Sequence, residues 1–237
     1  MKKIGFYGYP PEDVIQSYQE KGYELIDLDV DFGAPELSLI PANTCTIIKN
    51  IINHAFFYRD EIELILATVG EDKCDNGRFA AYLLKKWGFQ VVETSNMNRK
   101  QKKIQICTSD LPLKTKIDTI MKSIVEKISL PEIKQIEKPE FGFWGVPPND
   151  FSILELFPDT TAVYGWVRCV EAGVPSDLDL ENFVDEGVKT VYFAQSFCSK
   201  GILAKELAER TDGLFIDLEK TATMSIKAKI EAFLKLR

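Results

Sequence analysis

Five cysteines, Cys45, Cys74, Cys107, Cys169 and Cys198, carry most of the reactive chemistry in this sequence. Four of them form two pairs of equal spacing: 29 residues separate Cys45 from Cys74, and 29 separate Cys169 from Cys198. The local pattern also repeats. ELILATVGEDKCDNGRFAAYLL (63–84) and VKTVYFAQSFCSKGILAKELA (188–208) each run from an apolar segment through a short polar break holding one cysteine. A glycine follows three residues later, then an Ala/Leu-rich helix. Scattered core thiols would not repeat in this way. Four thiolates suit zinc or an iron–sulfur cluster. Structural zinc usually takes close C-x₂₋₄-C pairs, which are absent here, so the wide spacing favours a cluster held by a complete fold. Cys107, inside the apolar stretch KIQICTS, reads as a core residue.

The elements that must position these thiols alternate strand and helix from end to end. IGFYG (4–8), YELIDLDV (23–30), IELILATVG (62–70) and FQVVETS read as strands. Helical patterns follow in PPEDVIQSYQEKG, in 45–60, up to Trp87-Gly88, and in 113–128. KIQICTS is either a further strand or a loop. Residues 129–140, SLPEIKQIEKPE, read as a linker, after which the pattern restarts. FGFWG (141–145), TAVYGWV (161–167), VKTVYFAQ (188–195) and LFIDL are strands; PPNDFSILELF, DLDLENFVDEG, CSKGILAKELAERTDG and TMSIKAKIEAFLKL are helical. The restart is nearly literal, GFYGYPPED (5–13) against GFWGVPPND (142–150). Repeated βα units demand mostly parallel sheets. The expectation is an α/β chain of two pseudo-symmetric, Rossmann- or flavodoxin-like lobes produced by internal duplication, 1–128 and 141–237, joined by the linker 129–140.

In parallel α/β sheets ligands bind beyond the carboxyl ends of the strands, where helix N-termini present free N–H groups. Cys74 and Cys198 fall there, between a strand and the next helix, and Cys45 falls at a helix start after PANT. The first-turn amides favour a thiolate at such a place. Two facing halves would converge their thiolates on one cleft. Asp75, Asn76 and Ser199 are candidate caps for the helices that follow.

Other totals narrow the classes. The 237 residues are 45% hydrophobic and 27% charged, as expected of a globular chain with a well-buried core. A net charge of −7 argues against nucleic acid as a partner, and the short basic run Arg99-Lys100-Gln101-Lys102-Lys103 reads as a solvated loop. No apolar run reaches a membrane span, and MKKIGFYGYPPED lacks the apolar core of a signal peptide, so a cytoplasmic location is expected. His54, the only histidine, reads as a surface or packing residue, which disfavours hydrolases built on a His base. Phe6, Tyr7, Tyr9, Phe143 and Trp144 read as core or lobe-interface aromatics.

The same segments resemble the iron–sulfur subunits of the 2-hydroxyacyl-CoA dehydratase and benzoyl-CoA reductase family. The resemblance runs through the Pro11-Glu12-Asp13 helix start, KGYELIDLDV, Cys45 in PANTCTIIKN and Cys74-Asp75. It continues in Gln195-Ser196-Phe197-Cys198 and in DLEKT followed by KIEAFLKL. It covers nearly the whole chain, though in compact form. It implies a [4Fe–4S] cluster, or a larger double-cubane cluster, ligated by Cys45, Cys74 and Cys198, with Cys169 as either a fourth ligand or a nearby thiol. It also implies an ATP-hydrolysing activator that delivers low-potential electrons, and a homo- or heterodimer. The activity would be that of a dehydratase (lyase) or reductase component. Electron transfer or cluster handling without acyl-CoA activity is an alternative. So is a metal-free, two-lobed small-molecule-binding protein.

Overall fold

The structure, a computed structural model, describes residues 2–70, 73–96, 100–128 and 133–236. The chain divides into two compact units, Met1–Arg99 and Lys100–Arg237. Arg99 of the basic run and residues 129–132 of the linker lie outside the described residues.

The first unit runs β1 (Lys3–Tyr7), α1 (Glu12–Glu20), β2 (Glu24–Asp27), α2 (Thr46–Phe57), β3 (Ile62–Thr68), α3 (Asp75–Lys86) and β4 (Val91–Thr94). The second holds α4 (Leu113–Lys122), β5 (Phe141–Trp144), a 3-10 helix (Phe151–Leu156) and β6 (Thr161–Tyr164). It continues with α5 (Trp166–Glu171), α6 (Leu178–Asn182), β7 (Lys189–Gln195), α7 (Lys200–Arg210), β8 (Leu214–Leu218) and α8 (Met224–Lys235). Each unit carries a four-stranded sheet, ordered β2-β1-β3-β4 in the first and β6-β5-β7-β8 in the second. Every pairing is parallel. The expected two-lobed α/β architecture is therefore present, and the repeated GFYG and GFWG segments fall on equivalent inner strands. Because helices cover both faces of a parallel sheet, inner strands are apolar throughout. Ile4, Phe6 and Tyr7 of β1, and Phe143 and Trp144 of β5, are buried.

Two local expectations change, and one open reading is decided. The apolar run 161–167 is not one strand: β6 ends at Tyr164, Gly165 turns at φ 72°, and Trp166 opens α5. A Cβ on Gly165 would stand 2.8 Å from the Gly145 nitrogen, so no other residue fits that turn without movement. KIQICTS is a loop. The Glu171 carboxylate accepts the backbone N–H groups of Gln105 (2.7 Å), Ile106 (2.5 Å) and Cys107 (2.8 Å). Val163 in edge strand β6 donates to the Cys107 carbonyl at 2.9 Å, so this loop shields the sheet edge. The helix expected over 113–128 stops at Lys122.

Candidate functional site

In each sheet the strand order reverses at the first strand, β1 or β5, which opens a crevice at the carboxyl ends of the strands. The cysteines distribute unevenly around these ends. Cys45 is the N-cap residue of α2 and is buried; Cys74 is the N-cap residue of α3 and is exposed. Neither uses its side chain to cap its helix. Cys198 is half-buried, one residue before Ser199 at the N-cap of α7. Phe197 beside it takes φ 62°, a left-handed conformation that bulky residues rarely adopt. Ser199 makes no side-chain cap bond, and Asp75 lies inside α3, paired with Arg78 at 3.2 Å rather than capping.

The equal spacing of the two cysteine pairs does not produce equal positions. Cys169 lies inside α5, fully buried, its sulfur 3.8 Å from the Asp177 carbonyl. Burial, then the Glu181 charge, pushes its thiol pKa up to about 12. Cys107 is likewise buried, with a pKa raised first by burial and then by Glu171. His54 is a packing residue: it is buried, its Nδ1 meets the Leu28 carbonyl at 2.9 Å, and its ring stacks on Phe32.

Sequence reasoning missed a charged cluster at the carboxyl end of the first sheet. Asp29 accepts the Gly8 N–H at 2.5 Å and pairs with Lys73 at 3.1 Å, with both side chains largely buried. Gly8 sits at φ 77°, and a Cβ there would stand 2.9 Å from Thr68 Cβ, so the turn whose N–H Asp29 holds accepts no other residue without movement. Burial alone would discharge Lys73, yet the Asp29 carboxylate outweighs it and holds the ammonium pKa above its ordinary value. The Lys73 ammonium also lies 5.6 Å from the centre of the Tyr7 ring, and the Tyr7 hydroxyl donates to the Gly77 carbonyl at 2.9 Å. This chain of contacts ties the segment containing Cys74 to β1. Asp27, whose carboxylate accepts the Asp29 N–H, is pushed up to about 8 by burial first and the Asp29 charge second. The sequence held one sign of the cluster, the acidic IDLDVD run after β2, but not its partner Lys73.

Among the described residues, no group of three or more His, Cys, Asp or Glu side chains is arranged to hold a metal ion. One feature beside Cys45 would suit a thiolate-ligated cluster. The Thr46 hydroxyl is buried without a hydrogen-bond partner and suits a bond to a cluster sulfur. A comparison with protein-family models and with curated proteins finds no match. Among the described residues, no helix is long and apolar enough to cross a membrane.

Proposed function

We propose that the chain is an iron–sulfur protein whose [4Fe–4S] cluster is ligated by Cys45 and Cys74 of the first unit and Cys198 of the second. The observation that carries this reading is the placement of all three thiols where parallel strands hand over to helix N-termini. Cys169, enclosed within α5, lies outside the proposed ligand set. When bound, the cluster would supply either a low-potential electron or, at an iron not ligated by protein, a Lewis acid. The chain's own contribution is to hold the thiolates and their surroundings in place. Lys73, fixed by Asp29, sets a positive charge next to Cys74, which offsets the negative charge of a thiolate-ligated cluster.

The wider assignment follows the resemblance. The protein would be a compact relative of 2-hydroxyacyl-CoA dehydratase and benzoyl-CoA reductase subunits, located in the cytoplasm. It would work as a dimer with an ATP-dependent activator that reduces its cluster. Iron content of anaerobically prepared variants tests the ligand set. Cys45→Ser, Cys74→Ser and Cys198→Ser should each lose most of the iron, whereas Cys107→Ser and Cys169→Ser should retain it. Retention of iron in all five variants would contradict the proposal. The metal-free alternative, a two-lobed small-molecule binder, predicts no iron in the parent protein.

A further inference from the structure

Arg168 in α5 is held in an unusual setting. Its guanidinium carbon lies 4.5 Å from the centre of the Phe183 ring and 5.6 Å from that of Tyr164, so it packs against a pair of aromatic rings whose own centres are 6.2 Å apart. Its Nε is buried and has no hydrogen-bond partner among the described residues. The neighbouring carboxylates are committed elsewhere. Glu171, one turn along α5, accepts three backbone N–H groups of the 105–107 loop. Asp185 accepts the Tyr164 hydroxyl at 2.7 Å, Glu181 pairs with Lys200, and Asp177 caps α6 at the Leu180 nitrogen.

An arginine stays charged at any accessible pH, and a buried N–H of a charged group left without an acceptor is strongly unfavourable. This one lies just beyond the carboxyl end of β6, the side of a parallel sheet on which ligands bind. Its planar fork presents Nε–H and one Nη–H in parallel, a geometry that matches two oxygens of a carboxylate or phosphoryl group. The aromatic faces restrict water and strengthen such a contact. We propose that Arg168, packed against the Tyr164–Phe183 ring pair, binds an oxyanion of a small-molecule ligand side-on through its Nε–H edge. This site belongs to the second unit alone and does not rest on the iron–sulfur reading.

The test is a ¹H–¹⁵N titration of the full chain with inorganic phosphate and, separately, acetate, at ionic strength held constant with chloride. The Arg168 Nε–H signal, assigned by its absence in Arg168→Lys, should shift saturably with at least one anion. Arg168→Lys keeps the charge but not the fork, and should weaken binding roughly tenfold or more, followed by calorimetry. Phosphate alone identifies a phosphoryl site, acetate alone a carboxylate site, and both an unselective oxyanion site. Should Arg168→Lys fail to fold by circular dichroism, Phe183→Leu at the 43% exposed ring of that pair replaces it, with weakened binding expected. No saturable shift with either anion, or undiminished binding in the folded variant, overturns the proposal.

Discussion

Tyr7 and Trp144 occupy the same place in two sheets of the same order, yet they fasten different things. Tyr7 reaches from β1 to the Gly77 carbonyl in the first turn of α3, just after Cys74. Trp144 reaches from β5 to the Glu181 carbonyl in α6 at 2.7 Å. The divergence extends along the neighbouring strands. Phe6 pairs with Asp27, whereas its counterpart Phe143 pairs with Val163, so Asp29 in the first unit corresponds to Gly165 in the second. The turn amide that Asp29 holds at Gly8 is instead given, at Gly145, to the Tyr164 carbonyl at 3.4 Å. One half has thus acquired a carboxylate–lysine pair at the carboxyl end of its sheet. The other carries an arginine packed against a pair of aromatic rings. Two sheets of one strand order thus carry different chemistry at their carboxyl ends.

This contrast can be broken at its charged member first. Asp29→Ala leaves the largely buried Lys73 without its partner and the Gly8 amide without an acceptor, and should destabilise by about 3 kcal/mol in urea unfolding. Replacing Gly165 has no such electrostatic consequence, because no carboxylate stands there. The aromatic clamps give the next effect. Trp144→Phe removes a fully buried hydrogen bond and leaves space in the core around Tyr164, Tyr192 and Leu207, costing about 2–3 kcal/mol. Tyr7→Phe loses a hydroxyl only and should cost about 1 kcal/mol, while loosening iron retention at Cys74. Equal losses in the two variants would mean that the clamps differ less than their partners suggest.

A further contrast lies in pH dependence, where the units should slope in opposite directions. Asp27 has a folded pKa of about 8 against an ordinary 3.8, so the folded state holds a proton that the unfolded state releases. Its contribution is complete at low pH and is lost as pH rises through that window. Lys116 is buried on the carbonyls of Asp159 and Thr161, and burial lowers its pKa from 10.5 to about 8. The folded state binds this proton less tightly, so stability recovers as pH rises from about 8 towards 10.5. Asp27→Asn should flatten the first slope and Lys116→Met the second, as read from unfolding free energy across pH.

Much of this organisation was legible in the residues. Apolar runs covered on both faces mark parallel strands, and the GFYG/GFWG repeat anticipates two lobes, each with a parallel sheet. The exceptions share a cause. Trp166 and Val167 continue an apolar run, and only the geometry of Gly165 reveals that a helix has begun. KIQICTS reads equally as a strand or a loop, and Glu171, remote in sequence, decides for the loop by taking the N–H groups that a sheet would need. The helix-start positions of Cys45 and Cys74 were readable because caps are local. Lys73–Asp29 and the Arg168 packing were not, because topology rather than spacing assembles them.

The most direct test is whether the native protein carries an inorganic cluster. Anaerobically purified chain should contain about four irons and four sulfides per polypeptide, and should give a low-temperature EPR signal on reduction with dithionite. Colourless protein with neither iron nor acid-labile sulfide, prepared without exposure to oxygen, would contradict it.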